Sequence, residues 1–494
     1  MRSSHTINHL PIGGSAQLMG TISTLLQAAQ AAQAQGAWQK ASDLYRQAHH
    51  QLPQQPSIIA NLALCELALG RYANAITDCR QALYLQPDLW QTQVVLAKAQ
   101  QALGFVEQAD EVYCDILKIH PNQSSALTGR ADLALNYFGE PCFADELVQP
   151  LLNDPSEAMD AKLTQLMCRL YDRSPRQSAN TLAHQAKQFA RDHLQLPGPL
   201  LTPSMRHKRN KRPRVGLLSN QFCVSPVYFL TLAGWQHVAK GCDIVLLNRG
   251  HVRDWASAEL MQLAKEHIEV QHLSADLLAQ QIAQADLDVL YDLGGWMDPI
   301  GLQALSLKPA RVQYKWVGGQ SLTTGLSCFA GWIGDAYQSP KDLQTLYSEP
   351  LIEVSPAYAT YTPPPYLPKP LTKKSTVPCV FSNPAKLSFA FLEYLKSIPG
   401  KKVLIHKQYR FARTRTRIEE ALGANAVEFV CPQSHAEALM ALNQYATMID
   451  TFPYSSGLTA YEAQALDTQI VCAPQAKQGV LFAERHTARY WAKP

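Results

Sequence analysis

Residues 446–474 read ATMIDTFPYSSGLTAYEAQALDTQIVCAP, a stretch whose residue types suit the holding of a phosphate. Gly457 would let an anion approach the backbone closely, and Thr459 offers a hydroxyl donor. Glu462, three residues further along the same helical face, offers a carboxylate for sugar hydroxyls. An apolar run ending in Asp450 predicts a buried strand, and the Pro, Ser and Gly of 452–457 break it. Helix formers follow over 458–466, then a β-branched run over 469–473 predicts a second strand. In such a strand, loop, helix, strand unit the loop opens onto a helix N-terminus, whose unpaired N–H groups and dipole attract anions. A nucleotide-diphosphate site fits these residues, and so does an ordinary α/β turn capped by Ser and Gly.

The 494 residues have room for about two to four domains. With 47% hydrophobic and 17% charged residues and a net charge of +4, the composition is that of a soluble globular protein. It excludes a disordered chain and a nucleic-acid-binding tail. No apolar run approaches the roughly 18 residues of a membrane span, and the start MRSSHTINHLPIGGS has no signal-peptide core, so a cytoplasmic protein is expected. The 11 cysteines are scattered, with Cys65 and Cys79 the nearest pair, so no zinc site is expected and the thiols should be reduced.

An internal repeat precedes the phosphate-suited stretch. Gly36, Gly70 and Gly104 are 34 residues apart, as are Ala41, Ala75 and Ala109, and Pro53, Pro87 and Pro121. Trp38, Tyr72 and Val106 repeat in phase, with Tyr45, Cys79 and Tyr113, and with Ala48, Ala82 and Ile116. This is the period of tetratricopeptide helix pairs, in which small residues let helices approach and Pro ends the second helix. A weaker fourth copy has Gly139 one residue late and Pro155 in phase. The repeats are expected over 18–155, offering a concave surface for a protein or peptide partner, or simply packing on the next domain.

A helical connector and linker are expected over 156–212. The linker's basic run, Arg206, His207, Lys208, Arg209, Lys211 and Arg212, lacks interleaved aromatics and predicts a solvated segment with no nucleic-acid partner. Strands are expected at 214–219, 243–248, 268–273, 289–293, 312–317 and 351–354, with helices at 228–240, 255–267 and 275–285. That alternation predicts a doubly wound lobe over 213–361, with loops SNQFCVSP and DLGGWMD at strand ends where ligands sit in such folds. A Pro-dense segment at 362–378 separates it from a second such lobe over 376–494. The predicted fold class is thus α plus α/β, a helical solenoid followed by two Rossmann-like lobes.

Four strings resemble the O-linked N-acetylglucosamine transferase family with its SPINDLY-type members: DVLYDLGGW, LSLKPARVQYKWVGGQSLTTGL, VFSNPAKLS and DTFPYSSGLTAYEAQAL. The order of repeats then two lobes is also the family's, and the resemblance runs from about residue 21 to 489. It implies a GT-B region, metal-independent and inverting, that moves a sugar from a nucleotide sugar, UDP-GlcNAc first, to Ser or Thr hydroxyls of a protein. No other cofactor is implied. Carried over by motif, Lys386 is the phosphate-binding and catalytic lysine, Asn383 an amide near the same phosphate, and His435 a basic residue holding the nucleotide. Gly457, Leu458 and Thr459 become the diphosphate cradle, and Glu462 the ribose carboxylate.

The sequence also departs from the family. Where members carry His before Pro after the first strand of the lobe, this chain has Ser225 before Pro226, and Trp296 stands where members often have His or Tyr. Asp292 and Asp298 are then the nearest candidates for a catalytic base, a role a desolvated carboxylate can fill, though loop-capping carboxylates read the same way. Members also run on past the position of Pro494 into further helix that packs across the lobes, so closure is expected to differ. Asn61 has Gln27 and Val95 one period away, so an Asn ladder along the groove is not expected. A repeat-based scaffold that has lost its chemistry is the alternative reading.

Overall fold

The computed structural model describes residues 16–172, 178–201 and 212–491, which fall into two compact units, Met1–Tyr137 with Phe143–Ala161, and Phe138–Cys142 with Lys162–Pro494. Of the basic run, all but Arg212 lies outside the described residues; Arg212 donates to the Cys242 carbonyl at 3.1 Å.

The first unit is built of helix pairs: Ala16–Ala34 with Trp38–Gln51, Pro56–Ala68 with Tyr72–Leu85, and Trp90–Ala102 with Val106–Ile119. Gly36, Gly70 and Gly104 make the turn inside each pair at φ of 72°, 74° and 83°, a left-handed conformation that a side chain disfavours. Ala41, Ala75 and Ala109 are fully buried where the paired helices meet, and so are Tyr45, Cys79 and Tyr113. The 34-residue spacing is therefore one turn and one packing face used three times. Gly139, the late glycine of the fourth copy, belongs to the second unit. A Cβ there would stand 2.4 Å from the carbonyl carbon of Pro384, so glycine is required by close approach as well as by its φ of 71°.

The second unit holds two parallel sheets. The first has seven strands, β1 (Arg214–Ser219), β2 (Asp243–Asn248), β3 (Glu266–Glu269), β4 (Val289–Asp292), β5 (Val312–Lys315), β6 (Gly331–Gly334) and β7 (Leu351–Glu353), in the order β3-β2-β1-β4-β5-β6-β7. The second has five, β8 (Cys379–Phe381), β9 (Lys402–Ile405), β10 (Val427–Val430), β11 (Thr447–Ile449) and β12 (Gln469–Val471), in the order β10-β9-β8-β11-β12. Strand order reverses between β1 and β4 in one sheet and between β8 and β11 in the other. Doubly wound sheets open a ligand crevice at the carboxyl ends of such strands. Helices Pro226–Val238 and Trp255–Leu263 cover the first sheet, with Val227, Leu232 and Trp235 packed on Val215, Leu217 and Leu246.

Four elements differ from expectation. The third strand is Glu266–Glu269, an exposed edge paired only with β2, so its side chains lack the apolar run that drew the reading to 268–273. The preceding helix ends at Leu263 to let that strand form. Strand β6, GWIG, was not expected because its glycines suppress strand propensity. They are there for contact: a Cβ on Gly331 would lie 2.2 Å from Ile352, and one on Gly334 1.8 Å from the Ser339 hydroxyl. Helix Pro299–Ser306 was also missed, although Asp298 followed by Pro299 is an N-cap and first-turn signal. No helix among the described residues is long and apolar enough to cross a membrane.

Candidate active site

Lys386 ends a short 3-10 turn, Pro384–Lys386, that leaves β8 at the switch point of the second sheet. Asn383 starts this turn, its side-chain oxygen accepting the Ala385 N–H at 2.8 Å, so the amide predicted near the phosphate also shapes the loop. The Lys386 ammonium donates to the Ser455 carbonyl at 2.8 Å and lies 4.4 Å from the centre of the Tyr454 ring. Its half-buried setting lowers its pKa to about 8, mainly through desolvation, with the Asp450 carboxylate pulling the other way.

Loop 450–457 leaves β11, the other strand at the switch point. Asp450, fully buried, organises it by accepting the Ser456 N–H at 2.8 Å and the Thr487 hydroxyl, and burial raises its pKa. Gly457 then caps helix Leu458–Ala465, whose first turn carries Leu458 and Thr459. The leading N–H groups of a helix have no partner within it, and such donors attract anions. Lys386 hydrogen-bonds the loop that leads into this helix, which sets its ammonium beside the Gly457 helix start.

His486 was not singled out from the sequence, where it sits in LFAERHTARYW without a motif of its own. Its ring would stand 3.9 Å from a Cβ placed on Gly457, and its backbone N–H donates to the Ser455 hydroxyl at 2.9 Å. Burial, and then the charge of Lys386, lower its pKa to about 3. His406, at the end of β9, is lowered to about 4 by burial, then Lys407 and Lys386. Both imidazoles are therefore neutral near pH 7, and Lys386 is the cation of this group.

His435 and Glu462 meet directly. The His435 Nε2 lies 2.7 Å from a carboxylate oxygen of Glu462, which is 1% exposed, and the His435 Nδ1 lies 2.8 Å from the Tyr366 hydroxyl. Phe229, from helix Pro226–Val238 of the first lobe, packs on the imidazole at 5.3 Å. A ribose here would share Glu462 with His435. Glu462→Gln is expected to weaken UDP binding about tenfold while a UDP-blind property, the thermal midpoint, moves little, because the amide still accepts from His435. Calorimetry beside a melting curve checks this.

The first lobe's candidates each have partners of their own. Asp292, at the end of β4, accepts the N–H groups of Gly294 at 3.0 Å and Gly295 at 3.1 Å, and pairs at 3.3 Å with Lys315. Lys315 is fully buried and also donates to the carbonyls of Asp292, Val317 and Gly318 at 3.0, 2.7 and 2.7 Å. Desolvation pushes its pKa down while Asp292 holds it up. Asp298 caps helix Pro299–Ser306 through the Gly301 N–H at 3.1 Å and pairs with buried Arg249 at 2.7 Å. The two carboxylates flank Gly294. Both have loop-holding work. Ser225 donates to the Gln221 carbonyl at 2.8 Å, and Trp296 is a core residue, its indole N–H donating to the Leu322 carbonyl at 3.2 Å. Neither replaces an imidazole.

No protein-family model matches the chain. An O-GlcNAc transferase mutant from Thermobaculum terrenum superposes with a TM-score of 0.66 at 21% identity, over 97% of this chain and 86% of that one. A 163-residue segment is 24% identical to an Arabidopsis thaliana protein named "Probable UDP-N-acetylglucosamine--peptide N-acetylglucosaminyltransferase SEC". That match covers 32% of this chain and spans only 16% of the plant protein. In fold, from tetratricopeptide repeats through both parallel-sheet lobes, the chain is similar to O-GlcNAc transferase.

Proposed function

We propose that the protein is a glycosyltransferase of the O-GlcNAc transferase type. It takes a sugar, GlcNAc from UDP-GlcNAc as first candidate, to a Ser or Thr hydroxyl of a protein, with inversion. The observation that carries this reading is the hydrogen bond from Lys386 to the loop that opens onto the Gly457 helix start. There the ammonium and the helix N–H groups stabilise the charge that grows on the diphosphate as the glycosidic bond breaks. The acceptor oxygen attacks the anomeric carbon from the opposite face, Glu462 and His435 hold the ribose side, and positive charge from protein groups serves where a metal would in other transferases. The repeats present the acceptor protein, and the reaction belongs to the cytoplasm.

A second reading has one observation in its favour. Asp292 and Asp298 are both tied to buried cations and backbone N–H groups, and no imidazole stands at Ser225 or Trp296. A scaffold that binds nucleotide without turnover would look the same. Titration of UDP and GDP by calorimetry, followed by incubation with labelled UDP-GlcNAc and a peptide mixture, separates the two. Binding with label transferred to peptide supports the enzyme, binding without transfer or hydrolysis supports the scaffold, and no binding refutes the site.

A further inference from the structure

We propose that Tyr454 is a positioning residue, its ring holding the Lys386 ammonium at the crevice and its hydroxyl tying that cation to the first lobe. The inference rests on the diphosphate reading above. The ring centre lies 4.4 Å from the ammonium, within the range in which an aromatic face attracts a cation without neutralising it. Tyr454 is itself braced. Tyr171 stacks on it at 4.9 Å with the planes 14° apart, and His486 packs against it at 6.0 Å. Its hydroxyl lies 3.2 Å from the Ser321 hydroxyl, in the loop that follows β5 of the first lobe. The Ser321 carbonyl in turn accepts the Ala483 N–H at 2.8 Å, from the segment that carries His486.

This arrangement solves a problem that a carboxylate partner would create. An ammonium has three N–H donors, and a contact carboxylate would both quench its charge and compete with a phosphate. Here one donor goes to the neutral Ser455 carbonyl, and a π face supplies the remaining hold. Asp450, whose carboxylate is taken up by Ser456 and Thr487, acts on Lys386 only through space. The charge is kept in place and kept available.

The test is competitive labelling of Lys386 in the full chain, followed by peptide mass spectrometry from pH 6 to 10, beside calorimetric titration with UDP and UMP. In the unaltered protein the labelling midpoint is expected near 8. Tyr454→Leu should release the ammonium to water and move the midpoint up toward that of a free lysine. UDP affinity should fall about tenfold while UMP affinity stays, since only the second phosphate needs Lys386. Tyr454→Phe restores the midpoint and leaves about a twofold loss for the missing Ser321 contact. Tyr454→Met, flexible enough to fill the space, gives the same reading if the Leu variant misfolds. An unmoved midpoint, or an equal loss for UDP and UMP, overturns the inference. A moved midpoint in a protein that binds neither UDP nor GDP instead overturns the nucleotide reading and leaves the ring's hold on Lys386 standing.

Discussion

Lys386→Ala is expected to reduce UDP affinity about 100-fold and turnover of the nucleotide sugar by about 10²–10³, the size seen when one preorganised donor to a developing anion is lost. The residue is the charged member of its group, since His486 and His406 are held neutral by burial. Removing it leaves the helix N–H groups to face the anion without it. The effect also has a pH signature. A diphosphate held as proposed needs the protonated lysine, so affinity is expected to be full below the free protein's pKa of about 8 and to decline about tenfold per unit above it. In the Ala variant that decline disappears. Calorimetry of both proteins between pH 6.5 and 9.5 checks magnitude and slope together. A variant that binds UDP as tightly as the unaltered protein would remove Lys386 from the site.

What made that residue findable, and what hid its neighbours, follows from how each is placed. The repeats were legible because one turn glycine and one packing alanine recur at fixed spacing, and each has a local cause, a positive φ or a fully buried contact. The helix start at Gly457 was legible because strand, break and helix lie in one short stretch. Lys386 came through a matched string rather than through any property of its own neighbourhood. Its neighbours Tyr454 and His486 lie 68 and 100 residues further along, from 454−386 and 486−386; Tyr454 meets it because β8 and β11 are adjacent in the sheet, and His486 because its backbone docks on Ser455. Sequence spacing carries no trace of that adjacency. The same holds for Asp292, whose partner Lys315 meets it only because β4 and β5 pair with these two residues in register.

That pair yields the other large prediction. Lys315→Met is expected to destabilise the protein by about 3–5 kcal/mol, because it leaves the Asp292 carboxylate buried without its cation. It also strips the donor from the carbonyls of Val317 and Gly318, in a turn whose glycines already sit at positive φ. Adding Asp292→Asn should recover most of the loss, since a neutral pair in that cavity no longer carries an unpaired charge, and the recovery measures the coupling. Denaturant unfolding of the two single variants and the double variant completes the cycle. The same set decides what Asp292 does. A carboxylate that serves as base cannot be replaced by an amide at any stability, so a folded double variant would be inactive. A carboxylate that holds the Gly294 and Gly295 N–H groups can be, because the Asn oxygen accepts the same donors. Its geometry, with loop N–H groups and a buried ammonium around the carboxylate, favours the second outcome: turnover per folded molecule within a few-fold of the unaltered protein, and the proton of the acceptor hydroxyl taken elsewhere.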